Sequence, residues 1–467
     1  MDVNTLDFED NAHAALENPA LQSALAKIKT GWVANRARAA DRLPEFEALR
    51  DQGRDIKNHS LAHLDLYLEA FEAKVVGLGG TVHWARDAAE ARAIVLELCQ
   101  AAGARTVTKS KSMVTEEIGL TAFLESHELE PVETDLGEYI LQISGQPPSH
   151  IVGPVVHMSQ DEISDLFAKH HGSPRLDDAG ALVAEARRVL RQHYLDADVG
   201  ITGANFLVAE TGSAITVTNE GNAELTQGLP KTHIVVTTLE KVVPTMEDAF
   251  TLLRLLARSA TGQEFSTYTT VMTGPKREGD LDGPDRFHVV LLDNGRTQML
   301  GNELREMLRC IRCGACMNHC PVYTATGGHA YGWIYPGPMG SVLTPQLIGI
   351  EQGWPLPNAS TFCGRCEEVC PVRIPLPKLM RHWREEQFNR GLAPPTARRW
   401  LGLWRFMACR PRLYRLAAGL AARMLRLLGR SGRLRWAPLA SGWTTSRDLP
   451  APQGATFMRQ WRARGQR

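Results

Sequence analysis

Two cysteine-rich stretches decide how this chain is organised: Cys310-Ile-Arg-Cys313-Gly-Ala-Cys316-Met-Asn-His-Cys320-Pro321 and Cys363-Gly-Arg-Cys366-Glu-Glu-Val-Cys370-Pro371. Together they hold seven of the nine cysteines in 467 residues. The first stretch reads C-x2-C-x2-C-x3-C-P, and the second repeats its last three cysteines and the proline. Cysteines at this spacing bring several thiolates to one side of a tight loop, which predicts a metal centre.

The spacing of the first stretch is that of a [4Fe–4S] centre, and in two-cluster ferredoxins the fourth cysteine ligates the other cluster. By that rule one set of ligands is Cys310, Cys313, Cys316 and Cys370, and the other is Cys320, Cys363 and Cys366. The second set is one cysteine short. Ser360 stands where the missing ligand is expected, so that corner of the second cluster is either open or filled by oxygen.

Two other uses of cysteine fit less well. A structural zinc site takes four ligands in all, whereas seven cysteines with two Cys-Pro endings suit two clusters. Disulfides belong mainly to oxidising compartments and small scaffolds, and this long chain shows no apolar segment of a secretory signal at its start. We therefore predict two [4Fe–4S] clusters.

Charge is distributed unevenly along the chain. The whole sequence has 52 basic and 52 acidic side chains. Residues 391–467 contain sixteen Arg, no Lys and a single acid, Asp448, so the tail is strongly basic and the first 390 residues are correspondingly acidic. No run of about eighteen uninterrupted apolar residues occurs, so a transmembrane helix is not predicted.

The pattern of apolar residues predicts helices over residues 1–76 and then an α/β domain. Leu61, Leu64, Leu68, Phe71 and Val75 recur at helical spacing. From Gly80 onward strands and helices alternate, which predicts a mostly parallel sheet covered by helices. The expected strands are Thr81–Trp84, Arg105–Thr108, a strand near Tyr139–Ile143, His233–Thr238, Thr267–Met272 and Phe287–Leu292. The expected helices are Asp87–Ala101, Thr115–Ser126, Ser159–His170, Asp177–Tyr194 and Met246–Ser259.

These patterns predict four regions. They are a helical N-terminal region over 1–76, an α/β domain over 77–295, an α-helical ferredoxin-type domain over 296–390, and an Arg-rich helical tail over 391–467.

Two short stretches of the α/β domain are candidates for ligand binding. The first follows a strand and opens a helix, where free backbone N–H groups, hydroxyls and lysines can hold an anion; its candidates are Lys109, Ser110, Lys111, Ser112, Thr115 and Glu116. A capped helix, with Ser112 or Thr115 as N-cap, explains the same residues equally well. The second lies at a strand end, where α/β sheets bind ligands; its candidates are Asn205, Glu210, Thr211, Gly212 and Ser213.

The tail contains a basic amphipathic helix. Its apolar stripe is Leu413, Leu416, Leu420, Met424 and Leu427, flanked by Arg412, Arg415, Arg423, Arg426 and Arg430. Such a helix is typical of membrane-surface or partner binding, and a solvated helix against the acidic body is the alternative. No base-stacking or groove-reading motif accompanies the charge, so we expect no nucleic-acid partner.

Several stretches resemble one family. They are Lys-Ser-Lys-Ser-Met-Val-Thr-Glu-Glu at 109–117, Gly-Glu-Tyr-Ile at 137–140, Pro-Pro-Ser-His-Ile at 147–151, Gly-Ile-Thr-Gly-Ala-Asn-Phe at 200–206, Ala-Glu-Thr-Gly-Ser at 209–213 and Thr-Asn-Glu-Gly-Asn at 218–222. With the two cysteine stretches, they resemble the LutB/YkgF family of lactate-utilisation iron–sulfur proteins over nearly the whole chain.

This resemblance implies a LUD domain, with the α/β fold shared by sugar-phosphate isomerases and CoA transferases, joined to an α-helical ferredoxin module. It also implies a cytoplasmic complex with LutA-like and LutC-like subunits that oxidises L-lactate to pyruvate. The residues contain no G-x-G-x-x-G fingerprint at a strand-to-helix turn and no flavin motif, which favours a subunit over an autonomous dehydrogenase. We expect an electron-transfer subunit; the alternative is a scaffold or redox-sensing subunit whose LUD domain binds a metabolite.

Overall fold

The computed structural model describes residues 3–429, 431–436, 444 and 447–464. The chain divides into two compact units, residues 1–387 and 388–467.

Helices fill the N-terminal region. They are α1 (Phe8–Leu16), α2 (Pro19–Ile28), α3 (Ala34–Asp41), α4 (Phe46–Ala62) and α5 (Leu64–Gly77), with a π-helical turn at Lys29–Val33 between α2 and α3. Asn18 begins α2 by accepting a hydrogen bond from the Leu21 amide, and Pro19 occupies the first helical position. The predicted stripe is confirmed, because Leu64, Leu68, Phe71 and Val75 are all buried against strands of the next domain.

Ten strands follow in the α/β domain. They are β1 (Thr81–Ala85), β2 (Thr106–Lys109), β3 (Glu130–Glu133), β4 (Val199–Thr202), β5 (Phe206–Val208), β6 (Ser213–Thr218), β7 (Thr232–Thr238), β8 (Val242–Val243), β9 (Tyr268–Met272) and β10 (Arg286–Leu292). Six of them form a sheet in the order β1-β10-β7-β4-β2-β3, and every pairing in it is parallel. All seven residues of β7 are buried, as expected of a strand covered on both faces. The predicted parallel sheet is confirmed.

Helices connect these strands. They are α6 (Ala88–Ala101), α7 (Met113–Glu117), α8 (Leu120–Glu125), α9 (Leu136–Ser144), α10 (Gln160–His171), α11 (Ala179–Asp196), α12 (Asn222–Gly228) and α13 (Met246–Ala260). Capping boxes begin α10, at Ser159 and Glu162, and α13, at Thr245 and Asp248. Cys99 on α6 is fully buried, and burial raises the pKa of its thiol to about 12.

A smaller mixed sheet lies beside the main one. Its order is β8-β5-β6-β9, with β5 and β6 forming an antiparallel hairpin and β8 pairing parallel to β5. The sequence patterns did not predict this second sheet.

Two predicted elements were wrong. The strand expected near Tyr139–Ile143 is helix α9, because the Asp135 carboxylate accepts hydrogen bonds from the Gly137 and Glu138 amides and starts a helix there. The strand of this region is β3 instead. The single helix expected over Thr115–Ser126 is two helices, since Gly119 between them takes a left-handed conformation with φ 61°.

Short helices build the cysteine-rich region. They are α14 (Thr297–Leu300), α15 (Ala315–Asn318), α16 (Tyr323–Thr326), α17 (Gly337–Ile348), α18 (Ile350–Gly353), α19 (Arg365–Glu368) and the longer α20 (Leu376–Asn389).

The tail contains α21 (Pro395–Ala408), α22 (Pro411–Leu428), a two-stranded ladder of β11 (Arg433–Leu434) and β12 (Leu449–Pro450), and α23 (Phe457–Arg464). No residue of α21 or α22 is buried. Leu416, Leu420 and Leu427 are 73%, 60% and 85% exposed, so the predicted stripe is largely accessible to solvent. Arg430 lies outside the described residues. Among the described helices, none is long and apolar enough to cross a membrane.

Candidate metal centre

The two cysteine stretches form two loops with the same backbone conformation. In the first, Arg312 and Gly314 have φ of 59° and 73°, and helix α15 follows. In the second, Phe362 and Gly364 at the matching positions have φ of 53° and 81°, and helix α19 follows. The shared backbone makes Ser360 the counterpart of Cys310.

The first predicted set of thiols comes together. Cys310, Cys313, Cys316 and Cys370 line one small cavity, which apolar side chains close. Three of these cysteines belong to the first stretch, and Cys370 comes from the second. The Ile374 amide donates a hydrogen bond to the Cys370 sulfur at 3.3 Å. Donors of this kind stabilise thiolate ligands.

The second predicted set lies beside the first. Cys366 is close enough to Cys320 and Cys363 to interact with both electrostatically. The Tyr323 amide approaches the Cys320 sulfur at 3.5 Å. Cys363 is exposed, whereas Cys320 and Cys366 are buried. The Ser360 hydroxyl oxygen accepts a hydrogen bond from the Phe362 amide at 3.2 Å, so it lies inside the second loop.

A single zinc ion and a [4Fe–4S] cluster require different arrangements of thiols. Among the residues that the structure describes, no three Cys, His, Asp or Glu side chains are arranged to hold one metal ion. Zinc needs four ligand atoms about 2.0–2.3 Å from a single point. In a [4Fe–4S] cube each thiolate binds its own iron, so the sulfur atoms stand further apart. Seven cysteines in two interleaved sets match the ligand number of two clusters, whereas one structural zinc ion takes four ligands.

A buried tyrosine offers a further sign of fit. Tyr331 is fully buried, and its hydroxyl has no hydrogen-bond partner in the described structure. Burial raises the pKa of Tyr331, and so do the nearby Cys320 and Cys316 thiols. A buried hydroxyl left unpaired costs about 1–3 kcal/mol. A cluster sulfur beside these cysteines would be its acceptor.

Basic side chains surround the first set of thiols. The Arg50 guanidinium donates to the Cys370 carbonyl at 2.9 and 3.2 Å, and Arg36 donates to the Val369 carbonyl at 3.0 Å. Lys57 and Arg309 also lie within electrostatic reach of these cysteines. Burial raises the pKa of the Cys370 thiol, while Arg50 opposes the rise. Buried positive charge of this kind suits an anionic cluster. No pattern in the sequence marked these basic side chains as partners of the cysteines.

A buried charge network joins the sheet to the first cysteine loop. Arg296 donates to both Glu117 oxygens, at 2.9 and 2.6 Å, and pairs with Glu240 at 3.2 Å. Arg312 lies 3.7 Å from Glu240 and stacks over the Tyr335 ring at 4.7 Å. Burial alone would raise the pKa of Glu117, but attraction to Arg296 outweighs it and holds that pKa below its ordinary value.

A second cavity, which we call the inter-domain cavity, opens between the α/β domain and the first cysteine loop. Its volume is about 270 Å³. Four of the predicted binding residues line it: Ser110, Lys111, Ser112 and Asn205. Arg312 and Cys313 line it from the other side. The two candidate stretches thus meet in one cavity, and the cavity touches the candidate metal centre.

The remaining residues of the first stretch form an ion cluster instead. Lys109 is buried and donates to Glu133 at 2.8 Å, Glu116 at 2.9 Å and Thr115 at 3.0 Å. Burial would lower the pKa of Lys109, but these carboxylates outweigh it and raise that pKa. Ser112 occupies the N-cap position of α7 but makes no side-chain capping bond. Because their side chains are engaged in this ion cluster, Lys109, Thr115 and Glu116 do not line the inter-domain cavity.

The end of the second stretch also lies elsewhere. Gly212 packs on α5, where a Cβ would come within 2.7 Å of the Lys74 Cβ. The Glu210 carboxylate accepts a hydrogen bond from the Met246 amide at 3.1 Å. The Ser213 hydroxyl bonds with Thr211 at 2.8 Å. These four residues, 210–213, are placed by packing and by the start of α13, and none lines the cavity.

Comparison with known proteins agrees with this architecture. Residues 68–292 match the model of the LUD domain, and residues 306–374 match that of the 4Fe-4S dicluster domain. The chain is therefore a LUD-domain protein fused to a [4Fe–4S] iron–sulfur domain.

Relatives that match over their full length show the family to which this chain belongs. Lactate utilization protein B of Lysinibacillus sphaericus is 43% identical over 97% of this chain and 96% of its own length. The protein of Escherichia coli named "Uncharacterized electron transport protein YkgF" is 41% identical over 98% of this chain and 97% of its own. The chain belongs to the family of these two proteins. A DUF162 family protein from Deinococcus radiodurans matches 49% of this chain and 98% of its own at 15% identity and a TM-score of 0.29, which is too weak to carry an argument.

Proposed function

We propose that this chain is an iron–sulfur electron-transfer subunit of a complex that oxidises L-lactate to pyruvate and so supports growth on lactate. The relatives named lactate utilization protein B and electron transport protein support both halves of the proposal. The observation that carries it is the meeting of Cys370 with Cys310, Cys313 and Cys316 in one cavity, as a two-cluster module requires.

Two clusters follow from this assignment. Cys310, Cys313, Cys316 and Cys370 would hold the first, and Cys320, Cys363 and Cys366 the second. The clusters would supply one-electron transfer. This chain's own residues hold the thiolates, exclude water from the first set, donate amide N–H groups to sulfur and place basic side chains nearby. These are the means by which a protein sets a cluster's potential.

The second cluster would differ from the first at one corner. Ser360 takes the place of the fourth thiolate, and Cys363 beside it is exposed. Solvent therefore reaches this end of the module. We expect the iron at that corner to be the most easily lost of the eight.

The proposed partners are LutA-like and LutC-like subunits of the complex, with an electron acceptor still to be identified. We also propose that the LUD domain shares its fold with sugar-phosphate isomerases and CoA transferases. The exposed leucines of α22 and the arginines of the tail support peripheral attachment, either to a partner or to the inner face of the cytoplasmic membrane.

A pair of matched variants tests the proposal. Cys313→Ser removes a buried ligand of the first cluster, and Cys409→Ser removes an exposed thiol of the tail. We expect Cys313→Ser to lower the iron content of the purified protein by roughly half and to abolish lactate-dependent growth, because that cluster has only four thiolates. Cys409→Ser should change neither. Full iron and full growth with Cys313→Ser would refute the assignment.

A further inference from the structure

The inter-domain cavity has a composition that predicts its ligand. We propose that it binds a small carboxylate with an oxygen on the neighbouring carbon, the class of 2-hydroxy and 2-oxo acids, directly beside the first set of cysteines. The choice of this acid class rests on the proposed function, whereas the binding of a small anion rests on the cavity alone. The walls come from the ends of β2 and β4, from β6, from α13 and from the first cysteine loop.

The charge of the cavity favours an anion. Lys111, Lys241 and Arg312 line it, against two acids, Asp135 and Glu220. Lys241 and Arg312 lie together, since both also line a smaller neighbouring cavity with Cys310. The two acids lie together at the start of α9, where Glu220 accepts the Leu136 amide at 3.0 Å. The end nearest the cysteines is therefore positive.

The two acids do not cancel this charge. Burial and the adjacent Asp135 carboxylate raise the pKa of Glu220 to about 7. Burial lowers the pKa of Lys241 to about 8, so its ammonium form still prevails at neutral pH. Arg312 remains charged throughout this range. The Glu240 carboxylate, which does not line the cavity, interacts with Lys241 and Arg312 but also pairs with Arg296 at 3.2 Å, so it does not neutralise both of them. Among the lining residues, three cations face fewer than two full negative charges.

Three polar atoms of the lining residues have no partner. They are the Arg312 Nη1, the Ser110 Oγ and the Asn222 Oδ1. Ser110 is only 2% exposed and Asn222 only 4%. Leaving one such group unpaired costs about 1–3 kcal/mol, so three in one cavity indicate a ligand that pairs with them.

The types of these atoms define the ligand. A guanidinium N–H and a hydroxyl both donate, and a carboxylate accepts two such bonds. The Asn222 amide can turn either its oxygen or its nitrogen toward the cavity, so it can accept from a hydroxyl or donate to a carbonyl. That explains why both 2-hydroxy and 2-oxo acids would fit.

Size narrows the choice further. A volume of about 270 Å³ lies just below the range of about 300–1,000 Å³ typical of small-molecule sites. An acid of a few carbons fits this space, and a dinucleotide does not.

The ligand would lie next to the first cluster. Arg312 and Cys313 line both the inter-domain cavity and the small cavity of the four thiols. A bound carboxylate that pairs with Arg312 alters the charge beside Cys313. Binding should therefore change the spectrum of the first cluster, which a remote site would not do.

Ser110 and Thr108 provide a matched pair for the test. Both side chains are buried and both hydroxyls lack a partner, but only Ser110 lines the cavity. Ser110→Ala and Thr108→Val each remove a hydroxyl that makes no hydrogen bond in the protein, so both variants should fold. Lys241→Met is a second variant that removes a charge from the cavity.

Anaerobic isothermal titration of the full-length, cluster-loaded protein tests the site with L-lactate, pyruvate, lactamide and inorganic phosphate as probes. We expect lactate and pyruvate to bind, and the uncharged lactamide not to bind. Ser110→Ala should weaken binding by at least about tenfold, as expected for a lost hydrogen bond to a charged group. Thr108→Val should leave the affinity unchanged. Pyruvate should also shift the EPR spectrum of the dithionite-reduced wild-type protein.

Three outcomes would overturn the proposal: no binding of either acid, equal affinity in Ser110→Ala and the wild type, or binding of phosphate alone. Failure of the cavity site can be distinguished from failure of the proposed electron-transfer function. Reduction of the clusters by lactate in the assembled complex, with no binding to the isolated chain, would leave electron transfer standing and remove the cavity site. Tight binding of pyruvate, with no reduction of the clusters by lactate in the complex, would leave the cavity site standing and remove the electron-transfer function.

Discussion

Replacing Arg296 by methionine is expected to destabilise the protein strongly, because Arg296 pairs with two buried carboxylates. It holds Glu117 through two hydrogen bonds of 2.9 and 2.6 Å and Glu240 at 3.2 Å, and all three side chains are at most 4% exposed. Removing one partner of a buried ion pair costs about 3–5 kcal/mol. At about 2–4 °C per kcal/mol for domains of 150–250 residues, the melting temperature should fall by roughly 6 °C or more.

Arg286→Met is the control for this prediction. Arg286 begins β10, close in sequence to Arg296, but it is exposed. The same substitution there should change stability by no more than about 0.5 kcal/mol. Thermal unfolding of the cluster-loaded proteins, followed by circular dichroism, compares the two. A double variant, Arg296→Met with Glu117→Gln, should recover part of the loss, since one of the two unpaired charges is gone.

The pH dependence has a definite sign. In the wild type the pKa of Glu117 is held below its ordinary value, so the pair stabilises the fold above that value and loses its effect as pH falls. Without Arg296, burial raises the pKa of Glu117, and stability then falls as pH rises through it. The difference between wild type and Arg296→Met should therefore be larger at pH 8 than at pH 5. A loss under about 1 kcal/mol, or one equal to that of Arg286→Met, would refute the role of this network.

Three further predictions concern the clusters and the tail. Ser360→Cys supplies the missing thiolate and should slow iron loss to a chelator, measured by absorbance; unchanged loss would mean that this corner is not the labile one. Tyr331→Phe should lower the potential of a cluster by roughly 40 mV in a redox titration, since one hydrogen bond to sulfur is worth about 1 kcal/mol; a potential equal to that of the wild type would show that Tyr331 does not bond to it. Deleting residues 396–467 should release the chain from its complex or from membranes, and unchanged co-purification and fractionation would contradict attachment through the tail.

The sequence predicted best what short-range geometry determines. Cysteine spacing is a property of one loop, so it indicated the local ligands of each set, and the exchange of the fourth cysteine in two-cluster ferredoxins placed Cys370 with the first stretch. The parallel sheet followed from alternating apolar runs. Helix α9 was missed because a run of apolar residues, Tyr139–Leu141, suits a buried strand as well as a helix, and the capping carboxylate of Asp135 decides between them.

The parts that sequence reasoning missed depend on distant contacts. Arg36 and Arg50 bind backbone carbonyls more than 300 residues away, and no local pattern marks a partner of that kind. Lys241, which directly precedes β8, lines the inter-domain cavity together with residues of β6 and α13 that are distant from it or from each other in sequence. Of these missed residues, Arg312 alone could have been identified from the sequence, since it stands between two cysteines of the first stretch.

Iron and sulfide analysis with EPR of the anaerobically purified complex, before and after adding L-lactate, tests the central claim most directly. The proposal predicts roughly eight irons per chain and reduced-cluster signals that appear when lactate is added. Eight irons that stay silent to lactate would indicate a scaffold or a redox sensor instead. Zinc in place of iron would contradict the assignment of both clusters.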